Sequence, residues 1–551
     1  MRRKVVTAMV LTGWFLLSLT ALNVYSQEPD TLDVPQGYET LNRAIQGDTS
    51  ATGGPKNLNR VYRLERGGYY LLNGILKGIQ AAPLRVVAAK GSGPRPMLIP
   101  AVTESGSAGN AFQPGGDIEV RGLYVSGIDN LGNQAGKNMF RCDGKKARII
   151  IDDCFLDHEA QTLIRMNAEG QKLLLTNSTL RNSILLANPS NGRIIDTRSN
   201  TQDSILIQNC TLYLCSHFPL EGSGVIHNLI FDHNTFYELG GRFRTERMVH
   251  GIITNNLFMD CDFEGSVYDS TLVSSDSTRD ECVTIDSLKS TLAAETDRVI
   301  RIAHNVCGYS PEITAMLNSV DHRRTSVLFN LRTQAFIDRF PNMTAENNIV
   351  EYPALSDPPD PSVIAAYAHH RIITNFSNEG NPDPRADRNG MAALDADPAS
   401  IGPAPDEFDF DYPSTAAAYT HAEGGFPVGD LNWFPDKKAQ WQAWLTTGVT
   451  EFHAVHTPAI FTLQQNHPNP FNPGTTLSYQ LQTAATVHLA IYNALGQWVT
   501  TLINQKRQSA GAYQISWNGL NEAGHQASNG VYICRLQADG QVQTRKMVMM
   551  K

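Results

Sequence analysis

The 551-residue chain has few cysteines, few charges and no excess of basic residues. Its eight cysteines are too sparse for a disulfide-framework protein, and their spacing fits no zinc site. Lys plus Arg number 45 against 54 Asp plus Glu, which makes the chain a poor candidate for nucleic-acid binding, because phosphate contacts need clustered basic charge. After residue 22 no run is apolar enough to span a membrane. What the chain does have, 43 Gly, 28 Pro and 41% hydrophobic residues, favours a turn-rich, β-dominated protein with a large core.

The N terminus predicts export. Three basic residues at positions 2–4 precede an apolar stretch from 5 to 22, and residues 24–26 offer a cleavage point. This is the pattern of a secretory signal peptide over residues 1–26. A single membrane anchor is the alternative, although polar residues dilute the stretch. We therefore expect a secreted or outer-cell-surface protein with no transmembrane segment in the mature chain.

A separate module begins near Phe461. The entry PNPFNP at 468–473 excludes a helix, and short alternating strands separated by Asn-Gly turns predict a small antiparallel, Ig-like β-sandwich. Together with Trp517-Asn518-Gly519, Gly530-Val531-Tyr532 and the tail 544–547, this stretch resembles the type A C-terminal sorting domain of type IX secretion cargo. The resemblance implies that residues 461–551 engage the type IX secretion machinery and its sorting peptidase. A carbohydrate-binding sandwich is the alternative.

The middle of the chain repeats one phrase: three apolar residues, a polar residue, Asn or Asp, a small polar residue and an apolar pair. Its last apolar position falls at 156, 180, 212, 236, 258, 307 and 350, in steps of 22 to 24 with longer insertions. This spacing predicts an all-β fold, a right-handed parallel β-helix, over residues 27–415. Leu41 and Ile45 predict a short amphipathic helix that caps its N-terminal end, and residues 416–460 form a closing segment and linker.

The cap, the Asn-bearing coils and a closing Asp395-Ala396-Asp397-Pro398 segment resemble pectate-lyase-like β-helices, especially secreted proteins related to the chondroitinase-B and alginate-lyase group. The resemblance implies a protein that engages an extracellular polysaccharide, with lyase chemistry as one outcome. The Lys and the Arg-His-Gly run that this group carries on neighbouring coils are absent at a matching register. The sequence therefore leaves open a polysaccharide lyase, less readily a glycoside hydrolase, and a non-catalytic surface adhesin or glycan-binding protein.

Counting 15 residues back from the repeat positions predicts a column of guanidinium groups. The count reaches Arg141, then Arg165, then Thr197 beside Arg198, and later Phe243, which lies between Arg242 and Arg244. Stacked guanidinium forks suit the regularly spaced carboxylates of a polyuronate. The alternative is that these arginines pair with Asp143, Asp196 or Glu221 on a solvated face.

Elimination from a uronate needs a cation at the carboxylate and a base for the neighbouring proton. Arg165, Arg198 and His217 are therefore the candidate catalytic residues, and Arg141, Arg242 and Arg244 the candidate substrate-binding residues. No His-and-carboxylate spacing supports a catalytic metal. The acidic run from 260 to 286 leaves calcium as an alternative to a solvated loop, and no other cofactor is implied.

Overall fold

The computed structural model describes residues 30–79, 82–102, 109–134, 138–217, 219–263, 282–288, 295–320, 328–329, 331–374, 377–385, 408–447, 461–481, 484–493, 498–522, 524–538 and 541–550. The predicted signal peptide and the segment 395–398 lie outside these residues. The chain divides into two compact units after Thr446.

The first unit is a parallel β-helix, as the repeat predicts. Two sheets contain eleven parallel strands each, and a third contains four. Sheet 1 consists of Asp30–Val34, Arg60–Leu64, Leu84–Ala88, Ile118–Arg121, Arg148–Asp152, Lys172–Thr176, Gln202–Gln208, Ile226–Asp232, Met248–Thr254, Val299–Ala303 and Met343–Glu346. Sheet 2 consists of Gly37–Tyr38, Tyr69–Asn73, Met97–Ala101, Tyr124–Ser126, Phe155–Asp157, Thr179–Ser183, Thr211–Cys215, Thr235–Leu239, Leu257–Cys261, Val306–Gly308 and Ile349–Val350. Sheet 3 consists of Asn138–Cys142, Thr162–Met166, Arg193–Asp196 and Leu220–Glu221.

The repeat positions stack in register along sheet 2. Leu156 pairs with Leu180, and the pairing continues without a slip through Leu212, Phe236, Phe258, Cys307 and Val350. Nearly all of these side chains lie in the main apolar core, which runs along the inside of the coils. The predicted cap is helix α1, Thr40–Gly47, whose Leu41 and Ile45 are buried in the same core.

A ladder of asparagine side chains joins the coils between sheets 1 and 2. The Nδ2 of Asn234 donates to Oδ1 of Asn256 over 2.9 Å, Asn256 donates to Asn305 over 3.0 Å, and Asn305 donates to Asn348 over 2.9 Å. The residue before each ladder position has a positive φ, as at Asn255 with 61°. Asn, Asp and His tolerate this conformation better than most residues. The ladder asparagines therefore have a structural role, at the small polar position of the repeat.

Segments from later in the chain cover the outer face of sheet 2. Helix α2, Pro311–Ser319, and helix α4, Pro361–Ile373, pack there, whereas α3, Leu331–Arg339, packs against the last strand of sheet 1. Residues 408–447, here called the return segment, end in helix α5, Pro435–Thr447. Phe408 and Phe410 of this segment pack on Tyr213, and Phe410 also packs on Tyr237. Short 3-10 turns span Pro189–Asn191, Glu295–Asp297, Ala417–Thr420 and Leu431–Trp433.

The return segment runs backwards across the turns that carry the ladder. The backbone N–H of Gly429 donates to the Asn255 carbonyl over 2.8 Å, and Lys438 donates to Oδ1 of Asn177 over 2.6 Å. Trp441 of α5 packs on the ring of His233, with ring centroids 5.0 Å apart. The return segment therefore lies along the turns of several coils.

The second unit is antiparallel. Phe461–Leu463, Thr475–Leu481 and Gly511–Trp517 form one sheet, and Trp498–Gln508, Ala485–Asn493, Gly530–Ala538 and Gln541–Met549 form the other. The two sheets share one core that contains Trp517. This arrangement confirms the predicted small C-terminal β-sandwich.

Candidate functional site

The predicted arginine column lies on sheet 3, but carboxylates interrupt it. Arg141 pairs with Arg165, Arg165 pairs with Asp196, and Asp196 pairs with Glu221. The next coil continues the row, because the N–H of Arg244 donates to the carbonyl of Leu220 over 3.0 Å. The row is therefore Arg, Arg, Asp, Glu, Arg.

The count of 15 residues is wrong in two coils. Asp196, not Thr197 or Arg198, lies beside Arg165, and Arg244, not Phe243, follows Glu221. The reason is that the turns between strands differ in length by one residue from coil to coil. A constant offset of 15 residues therefore reaches a neighbouring position in these two coils. Arg198 lies just beyond the strand in a left-handed conformation, with φ at 56°.

Most arginines of this face contact a carboxylate. Arg165 lies 3.2 Å from Asp196, and the backbone N–H of Arg198 donates to the same carboxylate over 2.8 Å. Arg141 lies 3.1 Å from Asp143. Further contacts join Arg193 to Glu221, and both Arg242 and Arg244 to Glu246. The sequence reasoning missed Arg193 and Glu246, because neither falls on the 15-residue count.

These ion pairs leave part of the positive charge in contact with solvent. The side chains of Arg198, Arg141 and Arg244 are 54%, 41% and 31% exposed, whereas Arg165 and Arg193 are largely buried. Burial lowers the pKa of the Arg165 guanidinium, and the nearby charge of Arg198 acts in the same direction. Among the described residues, the face carries six guanidinium groups against four carboxylates. We call this surface the arginine face.

His217 lies in the turn that leads from sheet 2 to sheet 3 and is buried. Burial lowers its pKa to about 3, and the charges of Arg193, Arg371 and Arg244 add to the effect. The imidazole is therefore neutral at ordinary pH and only weakly basic. A base needs a pKa near the working pH to accept a proton efficiently, so this environment suits a structural histidine better than a catalytic one.

Glu159 is a titratable group near this face that the sequence reasoning did not identify. It is buried in the turn between Phe155–Asp157 and Thr162–Met166, and burial raises its pKa to about 8, although the charge of Arg165 opposes the shift. Its Oε1 accepts the N–H of Ala160 over 2.7 Å. Glu159 therefore holds its proton at neutral pH. The residues around Glu159 form no pattern that predicts a buried carboxyl group in a turn, so its burial could not be predicted from the sequence.

Within the described parts of the chain, no group of three or more His, Cys, Asp or Glu side chains is arranged to hold a metal ion. Most of the acidic insertion considered for calcium, residues 264–281, lies outside those parts. Asp260, at its start, is buried and accepts the N–H of Ser310 over 2.7 Å. The described helices include none that is long and apolar enough to cross a membrane.

Comparison with known proteins gives one domain assignment. Residues 468–541 match the family model of the FlgD Ig-like domain, and no curated protein matches. Similar solved structures include FlgD from P. aeruginosa, with 24% identity and a TM-score of 0.12 over 14% of this chain and 60% of that chain.

Two further similar structures come from Porphyromonas gingivalis. PorZ, described as an essential surface component of the type IX secretion system, shows 16% identity and a TM-score of 0.12, covering 16% of this chain and 11% of that one. Dimeric latent PorU shows 20% identity and a TM-score of 0.15, covering 17% of this chain and 10% of that one. The chain thus spans less than two thirds of each of these three proteins. What the comparisons show is that residues 468–541 are similar to the FlgD Ig-like domain.

Proposed function

We propose that this is an exported cell-surface protein whose β-helix binds an anionic extracellular polysaccharide on the arginine face. The observation that carries the proposal is the excess of guanidinium groups over carboxylates on this face, in a chain whose formal net charge is −9. A local positive surface on an acidic protein attracts an anionic ligand, whereas the acidic remainder of the surface repels that ligand.

The geometry of stacked coils supports a polymeric ligand. Arg141 and Arg244 occupy the ends of a row four coil steps long, which spans about 19 Å at a strand spacing of about 4.8 Å. Arg165 and Arg198 lie between these ends. Guanidinium forks can engage carboxylate or sulfate groups with two parallel hydrogen bonds. A chain with anionic groups at regular intervals can thus contact several of these arginines at once.

The same geometry favours binding over cleavage. The candidate base His217 is buried and weakly basic, and the paired carboxylates Asp196 and Glu221 are engaged by Arg165 and Arg193. A general acid or base must reach a bound sugar with a suitable pKa. The proposal is therefore a glycan-binding protein, with lyase or hydrolase chemistry as the alternative that the experiment below tests.

The experiment is affinity electrophoresis of the purified chain in gels that contain pectate, alginate, a chondroitin sulfate or neutral dextran. We expect retardation by at least one anionic polymer, weakening as salt rises, and none by dextran. Equal mobility in all gels, or retardation by dextran alone, would contradict the proposal. Ultraviolet absorbance of unsaturated products and release of reducing ends are followed on the same polymers. A gain in absorbance that Arg165→Ala or Arg198→Ala abolishes would identify a lyase instead.

We further propose that residues 1–26 are a signal peptide and that residues 461–551 act as a type IX sorting domain. The supports are the basic and apolar N-terminal pattern, the sorting-domain motifs and the Ig-like domain match. In a type IX-competent bacterium, a reporter fused to a signal peptide and to residues 461–551 should reach the cell surface. The same reporter with residues 1–26 alone should stay in the periplasm. Surface delivery of both fusions would contradict this assignment.

A further inference from the structure

Two cysteines meet at one corner of the β-helix. Cys261 ends a strand of sheet 2 and pairs with Leu239 of the preceding coil. Cys282 lies where the chain re-enters the coil beside sheet 3, and its carbonyl accepts the N–H of Phe243 over 2.8 Å. Leu239 and Phe243 are four residues apart and occupy the same corner one coil earlier. Cys261 and Cys282 are therefore neighbours around this corner, although 20 residues separate them in the sequence.

Both thiols point into the apolar core. Each of the two residues is 2% exposed, and both belong to the main core cluster. The Cys261 thiol donates to the carbonyls of Phe236 and Met259, each over 3.4 Å, and the Cys282 side chain is close enough to act on its pKa. Burial raises the pKa of the Cys261 thiol, so it is unreactive once the corner has packed.

The other buried cysteines of this unit that share a register are too far apart to bridge. Cys154 and Cys210 lie in the same row, but the coil that carries Ser178 separates them. Two strand spacings of about 4.8 Å place their backbones roughly 10 Å apart, beyond the ~7 Å limit between Cα atoms of a disulfide. Cys215 and Cys261 are likewise separated by the strand of Leu239.

We propose that Cys261 and Cys282 form a disulfide when the chain folds in an oxidising compartment. The bridge closes the stretch 262–281 into a loop and fixes both ends of this insertion to the core. The oxidant is a disulfide such as oxidised glutathione. One thiolate attacks it, forms a mixed disulfide and releases one glutathione thiolate. The thiolate of the second cysteine then attacks the sulfur of the first cysteine in the mixed disulfide and releases the other glutathione thiolate, and the two cysteine protons end on two glutathione thiols.

The chain offers a direct test by peptide mapping. Trypsin cleavage after Arg247, Arg279 and Lys289 gives two adjacent peptides, 248–279 with Cys261 alone and 280–289 with Cys282 alone. The full chain is refolded with oxidised and reduced glutathione, alkylated under denaturing conditions without reduction, and digested. We expect the two peptides to appear as one linked species, 2 mass units below their sum, which separates after reduction. Two other peptides serve as internal controls: 149–165, with Cys154 alone, should carry one alkyl group, and 199–242, with Cys210 and Cys215, should carry two.

Cooperative unfolding of the refolded chain, followed by circular dichroism, establishes that the fold has formed. In a folded sample, single alkylation of both Cys261 and Cys282 would overturn the proposal. A stable glutathione adduct on either residue, or a link from either one to another cysteine, would overturn it as well. The result does not depend on polysaccharide binding.

Discussion

Sheets 2 and 3 belong to the same coils, yet their outer faces have opposite characters. On sheet 2, helices α2 and α4 and the return segment bury the outward side chains, so Tyr213, Tyr237 and Met259 form a second apolar core. On sheet 3, outward positions carry arginines and carboxylates, several of them in contact with solvent. The local strand pattern does not decide which face is covered. That is decided by segments further along the chain, from 50 residues away at the Ser310–Asp260 contact to 219 residues away at the Asp430–Thr211 contact.

The difference also separates the roles of the ionisable groups. Asp157 and Arg181 on sheet 2 form a fully buried ion pair at 2.9 Å. Burial would raise the pKa of Asp157, but Arg181 and His158 outweigh that effect and hold it well below its usual range. This ion pair on sheet 2 is thus shielded from solvent, whereas Arg141, Arg198 and Arg244 on the sheet 3 side are partly exposed.

The largest expected effect comes from breaking the buried pair. Asp157→Ala leaves Arg181 buried and uncompensated, and should lower the free energy of unfolding by about 4 kcal/mol. Arg141→Ala removes a half-exposed ion pair on sheet 3 and should cost less than about 1 kcal/mol. Urea denaturation of both variants measures the contrast. Equal losses would mean that the two faces do not differ in burial.

Next in size is the dependence of stability on pH, which should have opposite signs at the two faces. Burial raises the pKa of Asp260, on sheet 2, from 3.8 to about 7, against hydrogen bonds from Ser310 and Tyr352. The folded state therefore binds more protons, and stability falls as pH rises from about 4 to 7, by on the order of 3 kcal/mol. For His217, with a folded pKa of about 3 against 6.5, the unfolded state binds more protons and stability rises from pH 3 to 6.5.

The free energy of unfolding is measured from pH 3 to 8 for the unchanged chain and for the variants Asp260→Asn and His217→Gln. The comparison separates the contributions of Asp260 and His217 to the pH dependence of stability. Asp260→Asn should make the fall in stability above pH 4 shallower. His217→Gln should remove part of the rise below pH 6.5. Parallel pH curves for the chain and both variants would contradict these environments.

The ladder should show a smaller, position-dependent effect. Asn256 donates to the carbonyl of Phe231 and to Asn305, and accepts from Asn234, all within the core. Asn256→Ala leaves buried polar groups without partners and should cost about 2 kcal/mol. Asn348 lies at the partly exposed end of the ladder and is the matched control. Asn348→Ala should lower the free energy of unfolding by about 1 kcal/mol. Thermal or urea unfolding ranks the two.

The smallest effect concerns the contact of the return segment with the coils. Gly429 has φ at 97°, and a Cβ there would lie 2.7 Å from Oγ1 of Thr235. Gly429→Ala should therefore cost about 1–2 kcal/mol through strain and close contact. Gly425, also at positive φ but with open space around it, is the control that isolates backbone strain. If the two variants unfold alike, the close contact with Thr235 contributes nothing.

The sequence predicts the coils well because each coil repeats one local pattern. All seven repeat positions, from Leu156 to Val350, lie in register. It predicts the arginine row only to within one residue, since turns of variable length shift Asp196 into the place expected for Thr197. It does not predict the buried acids Glu159 and Asp260, because their burial comes from the tertiary fold and not from their own neighbours in the sequence.

Binding of an anionic polysaccharide to the arginine face can be tested with two variants that each lose three positive charges, one on the sheet 3 side and one on sheet 1. One variant combines Arg141→Gln, Arg198→Gln and Arg244→Gln on the sheet 3 side. Its control removes three exposed, ion-paired cations from sheet 1 with Arg63→Gln, Arg148→Gln and Lys172→Gln. Both lose three positive charges. In affinity electrophoresis with the retarding polymer, we expect at least about a tenfold loss of affinity for the sheet 3 variant and less than about a threefold loss for the control. Equal losses in the two variants would contradict binding at the arginine face.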